Sequence, residues 1–242
     1  PPVTTGTADF SRFVAVGNSL TAGFADGALY RDAQQFSFVN IVAQQAREAR
    51  PSLAFRQPLM PEGAGFGGLV TAGPAAGSVI GRLAINPATG APAPIISASS
   101  NGAGPGLANS PLQPNWRLSA VDIDSLHNYG VPGVWLAGPA GALQAGLGTP
   151  ANTAPTPFNP FFFRIARNPQ TSSLIGDVVA RQPTFFYMGL GNNDVLGYAL
   201  AGGTVPSTPA AGFGLAYQGA LTQLLDSRPG NKGIVATIPD VT

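Results

Sequence analysis

"RFVAVGNSLTAG", residues 12–23, runs an apolar strand-like segment straight into Gly17-Asn18-Ser19-Leu20. After Arg12 the segment is apolar throughout, which suits a strand covered on both faces rather than one with a wet side. A serine in a tight turn at the end of such a strand presents its hydroxyl to a cleft, and the turn's own N–H groups remain free to bind an oxyanion. Glycine at 17 removes a side chain that would crowd the turn. A serine after Gly-Asn is also a common turn or helix-cap residue, so the stretch poses a question that the rest of the chain must answer.

Outward from this strand, apolar segments alternate with helical patterns. Phe38, Ile41, Val42, Gln45, Ala46 and Ala49 mark one face of a helix from about Ser37 to Arg50, stopped by Pro51. From Ser52 to about Gln113 the pattern dissolves into Gly, Pro, Ala and Ser, with only "RLAI" and "PIISA" strand-like, so 52–113 reads as an insertion too irregular for a core element. "LHNYGVPGVWLAGPAGAL" (126–143) reads as a short strand ending in Gly-Val-Pro-Gly and opening a short helix, and the Pro-rich loop "GTPANTAPTPFNP" follows. "TSSLIGDVVARQ" offers a Ser-capped helix with Leu174, Ile175, Val178 and Val179 on one face, before the strand "TFFYMGL" (184–190). A last helix, from about Ala210 to Ser227, uses Phe213, Tyr217, Ala220, Leu221 and Leu224 and leads into the strand "GIVATI" (233–238). The expected fold is therefore α/β, an open doubly wound parallel sheet with helices on both faces, formed by one domain over 1–242.

Composition narrows the function. The 242 residues are 44% hydrophobic and 10% charged, as in a packed globular protein. Twelve Lys and Arg against eleven Asp and Glu leave no basic surplus for a nucleic-acid backbone. The absence of cysteine excludes disulfides, thiolate metal sites and a cysteine nucleophile. One histidine among scattered acids predicts no metal centre. "GAGFGG" (63–68) matches a dinucleotide-binding pattern by letter, but neither a strand precedes it nor an acidic residue follows before Asp122, and no cofactor is expected. No pair of carboxylates falls at two strand ends in the arrangement that glycosidase chemistry requires. Apolar runs are too short to span a membrane. The chain opens on Pro1 without an initiator Met, which leaves room for an upstream signal or anchor that these residues do not report.

Open α/β sheets bind ligands beyond the carboxyl ends of their strands. Three segments fall there: Gly17 to Leu20, Gly130 to Gly133, and Gly189 to Asp194. Ser19 supplies a hydroxyl, Gly133 a bare backbone N–H, and Asn193 a side-chain amide. Each taken alone is as readily a turn, a turn glycine or an Asx cap; their position after consecutive strands brings them together. Asp194 is expected to brace the loop. The aromatic cluster "FNPFFFRIA" (158–166) reads as core or acyl pocket, with Phe66, Leu69, Ile80, Leu83 and Ile85 of the insertion as further candidates for substrate contact.

"AVGNSLTAG", "NYGVPG" and "MGLGNNDVLG", in this order, resemble the first three blocks of the SGNH/GDSL hydrolases, and most nearly their bacterial secreted or lipoprotein members. The resemblance covers most of the chain outside the two Gly/Pro-rich stretches. It implies a sheet of strand order 2-1-3-4-5 and a serine carboxylester hydrolase, with Ser19 as nucleophile and Gly133, Asn193 and the Ser19 amide as oxyanion hole. It also implies an extracytoplasmic location and a small-molecule or lipid ester as substrate. Asn18 stands where the eponymous motif has Asp. The family's base is a His in a late Asp-x-x-His block, whereas the single histidine here, His127, precedes the second block and reads as structural. The expectation is that a further polypeptide stretch, beyond these residues or as a second chain, supplies the last strand and the Asp-His pair. Without it "GIVATI" becomes an apolar sheet edge. The competing expectation is a non-catalytic lipid- or glycan-binding module on the same scaffold.

Overall fold

The computed structural model describes residues 4–97, 116–148 and 158–238. In chain order its elements begin with β1 (Phe13–Gly17), α1 (Ser19–Ala22), β2 (Phe24–Ala25), β3 (Ala28–Leu29), α2 (Arg31–Gln35) and α3 (Phe38–Ala49). Then come β4 (Gly68–Leu69), β5 (Val79–Ile85), β6 (Pro92–Ser97), α4 (Ala120–Asp124) and β7 (Asn128–Gly130). The last are α5 (Pro160–Ile165), α6 (Leu174–Val179), β8 (Phe185–Gly189), α7 (Asn192–Leu200), α8 (Ala210–Asp226) and β9 (Lys232–Val235).

β7, β1, β8 and β9 lie side by side in that order, every pair parallel. Counted along the chain this is 2-1-3-4, so the α/β class expected from the apolar strands is what the structure has. Alternation along β1 explains how one strand serves two cores. Val14 and Val16 face α6 and α8, where Leu174, Ile175, Val178, Ala220 and Leu224 are fully buried. Phe13 and Ala15 face the opposite side, against Val39 and Ala43 of α3 and against Leu53 and Phe55. Burying such side chains contributes about 1.5–3 kcal/mol each, which commits the register of the strand. A third cluster, built on Ala22, Leu29, Met60, Phe66, Val79 and Trp116, joins α1 to the antiparallel sheet β4-β5-β6.

Several expectations are corrected. Residues 53–79, mostly irregular as expected, nonetheless contribute side chains to the core: Leu53 and Phe55 complete one cluster, and Met60, Phe66 and Val79 another. "RLAI" lies within β5, and "PIISA" overlaps β6 up to Ser97, its Ala98 lying outside the described residues. The rest of the stretch to Gln113, and 149–157 of the second Pro-rich loop, also lie outside them. No helix follows Gly133; residues 134–143 form turns held by a bridge between Trp135 and Gly141. α3 buries Val39 and Ala43, while Phe38, Ile41 and Val42 of its expected inner face are exposed. The small Ala43 lets the helix approach the sheet closely, and Phe38 and Val42 beside it share a groove with Ile234 of β9, which pairs with no strand on its far side among the described residues. All four residues of β9 are exposed, Ile234 and Val235 among them, as expected of an apolar edge.

α5 and α7 form where no helix is expected. α5 starts at an Asn159 cap, whose side chain accepts from the Phe161 and Phe162 amides, followed by Pro160 at the first helical position. α7 starts at Gly191, whose φ of +110° a side chain would strain.

Candidate functional site

Pairing registers fix the site's frame. Gly17 of β1 lies opposite Gly130 of β7 and Gly189 of β8, so the three strand ends form one row of glycines across the sheet. Two of these glycines are required by what packs on them. A Cβ at Gly130 would come within 2.2 Å of the Ala22 nitrogen, and one at Gly17 within 2.0 Å of the Thr21 hydroxyl oxygen. α1 therefore lies directly on the strand ends, a closeness only glycine permits. Asn128 then ties it in place: its Nδ2 donates to the Thr21 carbonyl at 2.9 Å and to Gln57 Oε1 at 3.0 Å.

Beyond this row stand the three candidate residues, on three adjacent strand ends. Ser19 is the first residue of α1, partly exposed. The Asn18 side chain caps the helix by accepting from the Leu20 amide at 3.2 Å. The cap role that a serine in this stretch could have filled thus falls to Asn18, and the Ser19 side chain makes no hydrogen bond among the described residues. As the first helical residue, Ser19 also has no intrahelical acceptor for its N–H.

Asn193 sits in the first turn of α7 and is buried. Its Nδ2 donates to the Val134 carbonyl at 2.7 Å, which fixes the carboxamide plane and leaves the second Nδ2 proton available. Gly133, exposed at φ +76°, is the residue before Val134 and donates its N–H to no described acceptor. The turn carrying it is held by Asn159 Nδ2, which donates to the Pro132 carbonyl at 2.9 Å.

A cleft of about 320 Å³ joins two of the three: Ser19 and Asn193 both line it, and Gly133 does not, adjoining it through the Asn193–Val134 bond. Asn18 and Asn192 complete the lining beside an aliphatic wall of Leu20, Val195, Leu196 and Ile238. Those four went unrecognised in the sequence; their signal is adjacency, Leu20 to Ser19 and Val195 and Leu196 to Asn193 on one helix. The aromatic candidates lie elsewhere. Phe162 is core, and Phe161 and Phe163 pack with Phe66 and Trp116 behind α1. Leu69 packs there too, while Leu83 and Ile85 are exposed on β5, and none of the five insertion candidates lines the cleft.

Asp194 takes no part in the cleft. Its carboxylate is 2% exposed and accepts from the Leu136 and Ala137 amides, at 2.7 and 3.0 Å, and from the Thr208 hydroxyl. It braces the 131–137 loop that carries Gly133. His127 is at the wrong end of its strand. Asn128 pairs with Ala15, so His127 is level with Val14, some 10 Å of strand below Gly17. Its Nδ1 accepts from the Arg56 amide at 3.2 Å. Burial, with the nearby Arg181 charge, pushes its pKa down to about 4, so the ring is neutral at pH 7.

Among the described residues no group of three His, Cys, Asp or Glu side chains could hold a metal ion, and no helix is long and apolar enough to cross a membrane. No known protein family, curated protein or solved structure matches this chain.

Proposed function

We propose that this chain is the nucleophile-bearing part of an SGNH/GDSL-type serine carboxylester hydrolase acting on an ester with an aliphatic acyl group. The observation that carries the proposal is the Ser19 hydroxyl, unbonded and freed from capping by Asn18, in one cleft with the Asn193 carboxamide. Ser19 Oγ attacks the ester carbonyl carbon as its proton passes to a base. The oxyanion of the tetrahedral intermediate is held by the Ser19 and Gly133 N–H groups and by Asn193 Nδ2. Collapse expels the alcohol and leaves acyl-Ser19, which water then hydrolyses. Leu20, Val195, Leu196 and Ile238 offer the acyl chain an apolar wall, and each methylene buried there gains about 0.8 kcal/mol.

The base is a histidine outside these 242 residues, because His127 is the one histidine in the sequence and lies at the opposite end of β7. The open edge at β9 and the apolar groove of about 170 Å³ beside it, lined by Phe38, Val42, Tyr187 and Ile234, are where the polypeptide stretch carrying that histidine packs. Such a protein is extracytoplasmic, of the secreted or lipoprotein kind. No cofactor is required.

Chemical rescue tests the assignment. The 242-residue chain should hydrolyse p-nitrophenyl butyrate on the order of 10⁶-fold below a complete serine hydrolase, and added imidazole should raise a rate that Ser19→Ala does not share. Equal rates for chain and variant at every imidazole concentration, with a folded Ser19→Ala, would refute it.

A further inference from the structure

A cavity larger than the Ser19 cleft lies elsewhere in the molecule. It is a groove of about 470 Å³ between α3, the 53–60 segment and α4, and it shares no lining residue with that cleft. Its volume falls in the range of roughly 300–1,000 Å³ typical of small-molecule sites. Its apolar lining comes from Phe55, Pro58, Leu118 and Leu126.

The wall is pre-formed. Buried Gln34 donates to the Pro58 carbonyl at 3.1 Å and accepts from the Met60 amide at 2.7 Å, while Arg164 donates to the Leu59 carbonyl at 2.8 Å. Gln57 accepts from Ser37 and Asn128 and donates to the Gln34 carbonyl. A ligand therefore meets a rigid wall.

What faces the ligand is carboxamide and guanidinium. Gln35 and Gln44 make no side-chain hydrogen bond among the described residues, and Asn40 spends one donor on the Gln35 carbonyl, keeping its oxygen free. Each amide both donates and accepts, as a hydroxyl does, so the set matches a polyol and would be left unpaired by an apolar ligand. Arg56 is neutralised by Asp122 at the rim. Arg47 anchors its Nε on the Leu53 carbonyl at 3.0 Å, makes no ion pair among the described residues, and has its two terminal nitrogens left over. One unpaired guanidinium suits one carboxylate, whereas a phosphate-rich ligand would call for several cations.

We infer that this groove binds a saccharide containing a uronic acid unit, the sugar's apolar face resting on Phe55 and Pro58, its hydroxyls on Gln35, Asn40 and Gln44, and its carboxylate on Arg47. The site is independent of the ester chemistry at Ser19 and is read by binding alone.

Isothermal titration with a hyaluronan tetrasaccharide, and with cellotetraose as the neutral control, tests it. The glucuronate-containing sugar should bind with Kd below about 1 mM, and cellotetraose at least tenfold more weakly. Gln44→Leu, an exposed change, and Arg47→Met should each weaken the hyaluronan tetrasaccharide at least tenfold, while Ser19→Ala leaves it unchanged. Failure of that tetrasaccharide to bind, equal binding of the two sugars, or binding indifferent to Gln44→Leu would overturn the inference.

Discussion

Asn193 donates its side-chain amide to the Val134 carbonyl at 2.7 Å, so the end of β8 is pinned to the loop that follows β7. The bond fixes the carboxamide of a residue that lines the Ser19 cleft and holds the Val134–Trp135 peptide in the same stroke. If the ester-hydrolase proposal holds, Asn193→Ala lowers kcat by about 10²–10³ through loss of an oxyanion donor. It should cost about 1–3 kcal/mol of stability, because the buried Val134 carbonyl loses its donor. Steady-state kinetics beside urea unfolding separates the two effects, and a stability loss with unchanged kcat would leave Asn193 a bracing residue.

Gly130 is the tightest point of contact between the α1 backbone and the sheet. Gly130→Ala puts a methyl carbon 2.2 Å from the Ala22 nitrogen, a backbone atom that yields only if the helix moves. The expected cost is about 3 kcal/mol, seen as a fall in Tm of roughly 6–12 °C. Because α1 carries Ser19, any folded fraction should also lose activity. Calorimetry showing an unchanged Tm would contradict this packing.

Stability should fall on acidification through His127. Its pKa is about 4 in the folded chain against about 6.5 when unfolded. Between those values the unfolded chain binds a proton that the folded chain refuses. The contribution is thus fully present above pH 6.5 and is lost progressively toward pH 4, by roughly 1–3 kcal/mol after allowing for partial solvent exposure. His127→Gln keeps an acceptor for the Arg56 amide and should flatten the profile in urea titrations at pH 7 and 4.5; equal slopes in both proteins would show that another group is responsible.

Ile234 stands on an unpaired strand edge, flanked by the Phe38, Val42 and Tyr187 groove. Isolated, the 242 residues should self-associate with rising concentration, and Ile234→Lys should suppress this by placing a charge on the edge. Sedimentation velocity of both proteins checks it. A wild-type chain monomeric at all concentrations would mean the edge needs no cover.

The parts of the molecule legible in the sequence are those where one residue type has one reason to be present. β1 and β8 announced themselves because strands covered on both faces tolerate no polar residue between Phe13 and Val16 or between Phe185 and Met188. α6 and α8 carried a single apolar stripe and a Ser173 cap. α7 was illegible because it inverts the rule: it buries Asn193 and Asp194 for their hydrogen bonds and leaves Leu196 and Leu200 exposed. α3 was misread by face, since its larger apolar residues border an open edge and not the core. At the site, Ser19, Gly133 and Asn193 could be placed at strand ends from the chain alone. The aliphatic wall could not, because Ile238 reaches it from beyond β9, some 200 residues from Leu20.

The most direct test of the central claim is covalent. Treating the protein from its natural source with a fluorophosphonate, then mapping the adduct by peptide mass spectrometry, should find the phosphonyl group on Ser19 and nowhere else, with ester hydrolysis lost in proportion. Ester hydrolysis that survives Ser19→Ala, or a label carried by any other residue, would contradict the account.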